Sequence, residues 1–373
     1  MSVTTLGVTG RPARRGVLRG LPWVTWRQHR FALSGALLVL GGLGAFLVIN
    51  GLAMHHAFHR YGLATCGDLF SGACHVQLDL FQQHYQGPAD TLPTFLMLLP
   101  GLLGLFVGAP LVARELESGT YRFAWTQGRS RVRWIVAKLV ILATVLTVLA
   151  IGFSLLFTWW YGPWLSIMGR MHPAQAYEVS GIVFAARTLF AFMLGALAGT
   201  LIRRTVPAMA ATAVVWLAVV LLSMFGLRPL IETPVTHLAA TGAAHTPLAI
   251  EFSNGSASLG TVAPQTAWEV ARWTQDASGH HLTSPQITDL LKQANFDPGL
   301  PTGGPIRAAP VPGSGGPGDT FPTWLAQHGY RLGVSYQPAS RFWHFQGVEA
   351  TAYLLLALLC AAATIWWIRR RTA

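Results

Sequence analysis

The chain of 373 residues has few charged residues, almost no lysine and only three cysteines. Charged residues make up 11% of it, whereas a soluble domain has about 25%. The two lysines, Lys138 and Lys292, do not follow a glycine, so there is no G-K-[ST] phosphate-binding loop. The sequence also lacks the G-x-S-x-G and H-E-x-x-H patterns, and no acidic pair lies inside its apolar runs. These absences argue against an enzyme and against nucleotide hydrolysis by this chain.

Long apolar runs are abundant instead, and hydrophobic residues make up 52% of the chain. Six runs approach the roughly 20 residues that a helix needs to cross a 30 Å hydrocarbon core. They predict an all-α polytopic membrane protein with six transmembrane helices. The predicted spans are Phe31 to Met54, Leu92 to Ala113, Trp134 to Tyr161, Gly181 to Ile202, Val206 to Leu227, and Val348 to Ile368.

Charge is divided unequally between the segments that join these runs. With six spans, the face that bears both termini carries 17 Lys and Arg against 2 acids, and the opposite face carries 8 against 11. The positive-inside rule then predicts a multi-pass plasma-membrane protein with cytoplasmic termini and an extracellular segment at 228–347. The same rule accounts for the net charge of +12, so the basic composition does not indicate nucleic-acid binding. The predicted units are 1–30, 31–227 with a cytoplasmic loop at 114–133, 228–347, and 348–373.

The first thirty residues contain six arginines and no acid. Pro22 is expected to open a short interfacial helix with Trp23 and Trp26 towards lipid. A disordered basic tail is the alternative, and it fits residues 1 to about 18 better than the rest. A signal peptide is disfavoured because the apolar run that follows exceeds twenty residues.

The loop predicted from His55 to Thr91 contains Cys66 and Cys74. On an outer face these cysteines could form a disulfide worth about 2.5 kcal/mol, or remain two free thiols. His55 and His59 have the i, i+4 spacing of a helical metal chelate, but no acidic residue accompanies them in the H-E-x-x-H order. We therefore predict polar lining and no metal site.

Several spans have features that predict their packing. The second is expected to be kinked or broken by Pro93, Pro100 and Pro110 with their neighbouring glycines. Gly195 and Gly199 in the fourth permit close helix contact. The third ends in an aromatic cluster that predicts an interfacial belt, consisting of Trp159, Trp160, Tyr161 and Trp164.

The segment 228–347 has a soluble type of composition. Its patterns predict a helix from Ser284 to Phe296, an irregular Gly/Pro-rich stretch from Pro298 to Gly318, a second helix from Phe321 to Tyr330, and a strand from Tyr330 to Tyr336.

The densest charge lies between the second and third spans, from Pro110 to Leu139. A helix from about Thr120 to Gln127 is expected there, bounded by Gly119 and Gly128. Such a short helix is marginal in water, so the membrane surface or a partner protein must hold it.

The pattern E-x-E-S-G-T at Glu115 to Thr120, followed by Y-R-F-A-W-T-Q and S-R-V-R-W, resembles the cytoplasmic loop of ABC-2-type transporter permeases, especially the actinobacterial kind. The stretches Gly195 to Ala210 and Tyr336 to Glu349 are similar to that family as well. The resemblance implies a type V exporter-like architecture with a large outer loop between helices 5 and 6. It also implies that the loop couples to an ATPase through Glu115, Glu117, Gly119, Thr120, Tyr121, Arg122, Trp125 and Arg129.

The function implied is the permease subunit of an ABC transporter. Two permease subunits, as a homo- or heterodimer in membrane lipid, would associate with two ATPase subunits. This chain would need no cofactor, because the partner would bind ATP and Mg²⁺. A lipophilic compound leaving the cell is the default substrate, since the spans supply Phe95, Phe106, Trp216 and Phe225 but almost no buried charge. The alternative is a membrane sensor or immunity component that is coupled to an ATPase without transport.

Arg187 is the one basic residue well inside a predicted span, and an unpaired cation there costs roughly 3 kcal/mol. Glu349 is the expected partner, because Glu178 lies nine residues away along the chain, beyond an i, i+4 contact. A snorkelling arginine bonded to headgroups is the alternative.

Overall fold

A computed structural model describes residues 38, 41–66, 72–117, 131–171, 174–239, 248–253, 256–264, 266–294 and 317–371. The chain divides into two compact units, Met1–Phe46 and Leu47–Ala373. In the first unit, residues 38 and 41–46 are helical. The predicted basic tail and interfacial helix, residues 1–30, lie outside the described residues. All elements named below belong to the second unit.

The helices of the second unit are numbered here in chain order. They are α1 (47–60), α2 (Gly72–Leu96), α3 (Leu99–Leu103), α4 (Ala109–Glu117), α5 (Arg131–Trp160), α6 (Gly162–Met168), α7 (Ala174–Val179), α8 (Val183–Ile202), α9 (Thr205–Leu222), α10 (Arg228–Ile231), α11 (Ser284–Gln293), α12 (Pro317–Gln327) and α13 (Phe342–Arg371). Two π-helical turns, Gly104–Gly108 and Ser223–Leu227, join α3 to α4 and α9 to α10.

Five helical stretches in the described part of the chain are long and apolar enough to cross a membrane. Each contains a predicted span or matches one to within two residues. The first predicted span, 31–54, is described only in part and stays a prediction. The five stretches are Cys74–Glu117, Val132–Trp160, Val183–Ile202, Thr205–Ile231 and Ala339–Arg370.

The loop predicted from His55 to Thr91 is mostly helical, so that prediction is wrong. Helix α1 continues to residue 60 and α2 begins at Gly72. The stretch was predicted as a loop because it is rich in polar residues, but these residues lie along helix faces. His75 and Asp79, for example, are one turn apart on α2, with 3.2 Å between Nδ1 and Oδ2. Of the residues between the two helices the structure describes 61–66, in which Leu63–Thr65 form a 3-10 turn.

Helix α8 forms the centre of the bundle. Of its apolar window 78% is buried within the protein, against at most 39% for the other four spans. It packs against α3, α4, α5, α9 and α13. A helix that is apolar on nearly all sides can be buried in this way, with other helices around it instead of lipid.

Glycines allow α8 to approach the second span backbone to backbone. A Cβ at Gly195 would collide with the carbonyl oxygen of Gly104, and one at Gly199 with that of Ala109. The predicted close contact at Gly195 and Gly199 is thus confirmed. The second span is also interrupted as predicted, since α2 ends at Leu96 and a π-helical turn follows α3.

The predicted interfacial belt at the end of α5 is wrong for three of its four residues. Trp160, Tyr161 and Trp164 are buried in the protein, and only Trp159 is substantially exposed, at 39%. Trp160 donates a hydrogen bond from Nε1 to Oδ1 of Asn50 at 2.9 Å. Trp160 therefore joins α5 to α1, and Trp164 of α6 packs against Phe81 of α2.

The segment between α10 and α13 contains more β-structure than the one strand predicted there within an otherwise all-α chain. An antiparallel sheet has the strand order β1-β5-β4, and β2 pairs with β3 as a hairpin. The helix predicted from Ser284 is confirmed as α11, and the strand predicted from Tyr330 is confirmed as β5. The strands are β1 (Val235–Ala239), β2 (Leu248–Ser253), β3 (Ser256–Thr261), β4 (Trp268–Gln275) and β5 (Arg331–Gln337).

This segment has an apolar core of its own. Leu259 on β3, Leu290 on α11, Phe321 on α12 and Leu332 on β5 are all buried in it. Thr274 donates a hydrogen bond to the carbonyl oxygen of Leu259 at 2.8 Å and so ties β4 to β3. The 3-10 turn Ala339–Arg341 then leads into α13.

Candidate functional site

Two clusters of polar contacts stand out at opposite ends of the helix bundle. The end that carries Glu117 of α4, Arg131 of α5 and Thr205 of α9 is called the loop end here. The end that carries Trp160 of α5, Val183 of α8 and Phe342 of α13 is called the segment end.

At the loop end, Glu115 of α4 forms an ion pair with Lys138 of α5. Lys138 is only 6% exposed, and its ammonium nitrogen lies 4.3 Å from the centroid of the Trp134 ring. A buried cation is stable when an acid and an aromatic face replace its water, and both are present here. This contact joins α4 to α5 on the two sides of residues 118–130, with Glu115 shortly before that stretch and Lys138 shortly after it.

Glu117, two residues further along α4, joins α4 to α9. Its Oε2 accepts hydrogen bonds from the backbone N–H of Thr205 at 3.1 Å and from the Thr205 hydroxyl at 2.7 Å. A carboxylate in this position satisfies an otherwise unpaired N–H and interacts favourably with the helix dipole of α9. The two acids thus bring the ends of three spans together.

The other residues predicted to couple to an ATPase lie outside the described residues. They are Gly119, Thr120, Tyr121, Arg122, Trp125 and Arg129.

At the segment end, four charged side chains meet inside the protein. They are Glu178 of α7, Arg187 of α8, Arg228 of α10 and Glu349 of α13, called the four-charge cluster below. No side chain among them is more than 3% exposed. The two cations and two anions are positioned by four different helices.

Each arginine contacts both acids. Arg228 donates from Nε to Glu349 at 2.6 Å and from Nη2 to Glu178 at 2.5 Å. Arg187 donates from Nη1 to Glu178 and from Nη2 to Glu349 at 3.3 Å. Because positive and negative charges alternate and balance, each ion has compensation for the water it loses.

Aromatic rings cover the two guanidinium groups. Arg228 lies 4.5 Å from the ring centroid of Tyr177, and Arg187 lies 5.0 Å from that of Tyr353. Burial raises the pKa of the Tyr177 phenol well above its usual range, and the Glu349 carboxylate raises it further. The cluster is therefore closed off from bulk water.

Comparison with known proteins identifies the family. The family model described as "ABC-2 membrane transporter related" matches residues 37–228, which is more than half of the chain. The chain belongs to this family. It is accordingly an ABC-2-type permease, a membrane component of an ABC transporter, and the family implies association with an ABC ATPase. No curated protein and no solved structure matches the chain.

The expectation for Arg187 in this permease is partly wrong. Glu349 does contact Arg187, but so does Glu178, which had been set aside because of its sequence separation. The reason is that Gly181, at φ 80°, breaks the helix between α7 and α8, so helical spacing does not apply. A second arginine is buried beside Arg187. Arg228 was assigned to the outer segment, but it lies in the same cluster and is only 3% exposed.

Gln346 is a positioning residue that the sequence did not reveal. Its Oε1 accepts a hydrogen bond from the backbone N–H of Val183 at 2.9 Å, and its Nε2 donates to the carbonyl oxygens of Tyr177 and Ser180 at 3.2 Å. The side chain of α13 thus satisfies the first turn of α8. The sequence around it, F-W-H-F-Q, could not have predicted this role, because the partners of Gln346 are backbone atoms and backbone atoms are the same at every residue.

Two of the three cysteines of the permease come together between α1 and α2. The structure joins Cys66 and Cys74 in a disulfide, with Cα atoms 6.1 Å apart. His55, by contrast, is used in packing: its Nδ1 lies 2.9 Å from the Gly51 carbonyl oxygen, and its ring stacks on Trp159. Among the described residues, no three His, Cys, Asp or Glu side chains form a group suited to a metal.

Proposed function

We propose that this permease assembles with a second permease subunit and two ABC ATPase subunits in the plasma membrane and exports a lipophilic compound. Family membership supports the transporter class. The absence of a phosphate-binding loop from the sequence supports a separate ATP-hydrolysing chain, which would bind the ATP and Mg²⁺. In the proposed topology the loop end is cytoplasmic, as are both termini, and residues 232–341 are outside.

The observation that carries the proposal is the pair of contacts at the loop end. Residues 118–130 leave α4 immediately after two anchored acids and enter α5 shortly before Lys138. A force on this stretch would therefore act on α4, α5 and α9 together, and through the glycine contacts on α8. We assign docking to Gly119, Thr120, Tyr121, Arg122, Trp125 and Arg129, and positioning of the docking stretch to Glu115 and Glu117.

The lipophilic substrate class is supported by the surface of the spans. Phe95, Phe106 and Phe225 are between 57% and 76% exposed on the bundle, whereas Trp216 is buried and takes no part. The four-charge cluster is neutral in sum and its members are bonded to one another, so it provides no free charge for a transported ion.

Co-purification tests the docking assignment. The permease is expressed together with a candidate ABC ATPase partner, and ATP hydrolysis by the complex is measured in vesicles. Arg122→Glu and Trp125→Ala are expected to lower recovery of the ATPase at least about fivefold, as for loss of a central contact. Glu117→Lys is expected to retain the partner but to lower ATP hydrolysis. Arg331→Glu, an exposed change on β5, is the control.

Full recovery of the ATPase with Arg122→Glu and Trp125→Ala would contradict the docking assignment. Unchanged hydrolysis with Glu117→Lys would contradict the positioning role.

Cysteine labelling of intact cells tests the topology. Ser314→Cys is expected to react with a membrane-impermeant reagent, and Ser130→Cys is expected to react only after the cells are opened. The reverse pattern would exclude a cytoplasmic loop end.

A sensor coupled to an ATPase is the second candidate function. It is favoured by the separate core of residues 232–341, which could bind a signal outside the cell. The four-charge cluster would connect that segment to α8. A sensor predicts ATP hydrolysis that responds to the signal while no compound crosses the vesicle membrane, which distinguishes it from an exporter.

A further inference from the structure

A cavity of about 590 Å³ lies between α5, α8 and α13. Its walls are almost entirely hydrocarbon, with Ile151 and Leu155 from α5, Leu189 from α8 and Leu354 from α13. Three of these four side chains are also open to the surroundings, at 47% for Ile151, 66% for Leu155 and 42% for Leu354. The cavity therefore opens sideways, on the surface of the bundle that faces lipid.

The length of the cavity matches one leaflet of a bilayer. Along α5 it extends from Thr147 to Thr158, which is about 16 Å at 1.5 Å per residue. Half of a 30 Å hydrocarbon core is about 15 Å. The cavity begins near the middle of the span and ends at the segment end, so an extended acyl chain of that leaflet has the length to occupy it.

Apart from the hydroxyls of Thr147, Ser154 and Thr158 along α5, the polar side chains of the cavity lie at its segment end. Ser180, just before α8, is 3% exposed, and its hydroxyl has no hydrogen-bond partner in the part of the chain that the structure describes. A buried hydroxyl without a partner is costly, which points to a ligand oxygen as its partner.

Arg170 supplies a positive charge at the same end. It lies after α6, with its guanidinium carbon 5.8 Å from the ring centroid of Phe342, and it forms no ion pair with a described residue. A cation at the interface attracts anionic headgroups with about 1 kcal/mol.

We propose that this cavity binds one anionic phospholipid from the leaflet at the segment end, the outer leaflet in the proposed topology. An acyl chain fills the apolar cavity, Arg170 pairs with the phosphate, and the Ser180 hydroxyl donates to an ester or phosphate oxygen. The site does not depend on the ATPase partner, so its test is independent of transport.

Photocrosslinking of the full-length permease in nanodiscs tests the proposal. The probe is phosphatidylglycerol with a photoreactive acyl chain, and peptides that carry the crosslink are identified by mass spectrometry. Crosslinks are expected in 147–158 and 182–189. Phosphatidylcholine with the same acyl chain is expected to label these peptides about fivefold less, because it has no net charge.

Variants separate the contributions of charge, hydroxyl and acyl chain. Arg170→Gln is expected to remove the preference for phosphatidylglycerol, and Arg170→Lys to keep it. Arg60→Gln, at another exposed arginine near the end of α1, is the matched control and should change nothing. Ser180→Ala is expected to lower labelling roughly two- to tenfold without lowering the unfolding midpoint, because no bond within the protein is lost. Ala185→Leu should reduce labelling by either lipid.

Four results would overturn the proposal. Equal labelling by the two lipids, or an unchanged preference with Arg170→Gln, would exclude an anion site. Competition by soluble glycerol phosphate would show that the acyl chain is not what is held. Ser180→Ala with lower stability and unchanged labelling would make that hydroxyl a structural group.

Discussion

Removing Arg228 from the four-charge cluster is expected to destabilise the permease severely. Arg228→Met retains much of the side-chain volume but leaves Glu178 and Glu349 to share one cation, Arg187. The buried cluster then has an uncompensated negative charge, because none of the four side chains is more than 3% exposed.

The magnitude follows from that burial. Breaking a buried ion pair by removing one partner costs about 3–5 kcal/mol, whereas losing a well-exposed pair costs about 0–1 kcal/mol. Arg228 makes hydrogen bonds to both acids, at 2.6 Å to Glu349 and 2.5 Å to Glu178. We therefore expect the free energy of unfolding to fall by about 3–5 kcal/mol.

A second variant separates the lost charge from lost packing. Arg228→Met combined with Glu349→Gln leaves the neutral pair of Arg187 and Glu178, which still contact each other. The double variant is expected to be less destabilised than the sum of the two single variants by about 1–3 kcal/mol. Exchanging Arg187 and Glu349 is not a useful test, because a carboxylate at position 187 would face Glu178.

Equilibrium unfolding in mixed micelles, followed by tryptophan fluorescence, measures these differences. Lys292→Met is the control, because Lys292 pairs with Asp289 at 3.4 Å but both side chains are at least 66% exposed. If Arg228→Met shifts the midpoint no more than Lys292→Met does, the cluster is not buried as described. Additive single and double variants would refute the coupling between the charges.

Three further predictions concern helix packing and the turn between α1 and α2. Gly195→Val is expected to lower the yield of folded permease, since its side chain would collide with the second span; an unchanged melting temperature would contradict this contact. Gln346→Leu is expected to cost about 1–3 kcal/mol in the same unfolding assay, because it leaves the backbone N–H of Val183 in the first turn of α8 without an acceptor; a loss below about 0.5 kcal/mol, the smallest net effect of a hydrogen bond, would argue against it. Cys66→Ser with Cys74→Ser is expected to cost about 2.5 kcal/mol, and alkylation of both native thiols without prior reduction would rule out the bond.

Local sequence patterns correctly predicted those helices whose position depends mainly on their own apolar composition. Five spans agree with the apolar runs because crossing a membrane requires a continuous apolar helix, and this requirement is visible in one dimension. The close approach at Gly195 was predicted for the same reason, since a side chain that is missing from a helix face is visible in the sequence. Helix α11 followed from Ser284 and Pro285 at the helix start.

Predictions failed where long-range contacts change the meaning of a local pattern. The aromatic residues at the end of α5 have the composition of an interfacial belt, but Trp160 is buried because Asn50 of α1 accepts its N–H. The strands of the segment after α10 were mostly missed because strand pairing joins distant residues, such as Val235 with Tyr336.

The sequence by itself determined the membrane class, the family and the approximate spans of this permease, because hydrophobic length and the loop motif are properties of contiguous residues. Only the tertiary structure decided which charges meet. The four-charge cluster draws its side chains from four helices, and its most distant members, Glu178 and Glu349, are 171 residues apart in the sequence. Their charges balance only when α7, α8, α10 and α13 are packed together. Electrostatic compensation of this kind depends on distance in space, which the order of residues does not contain.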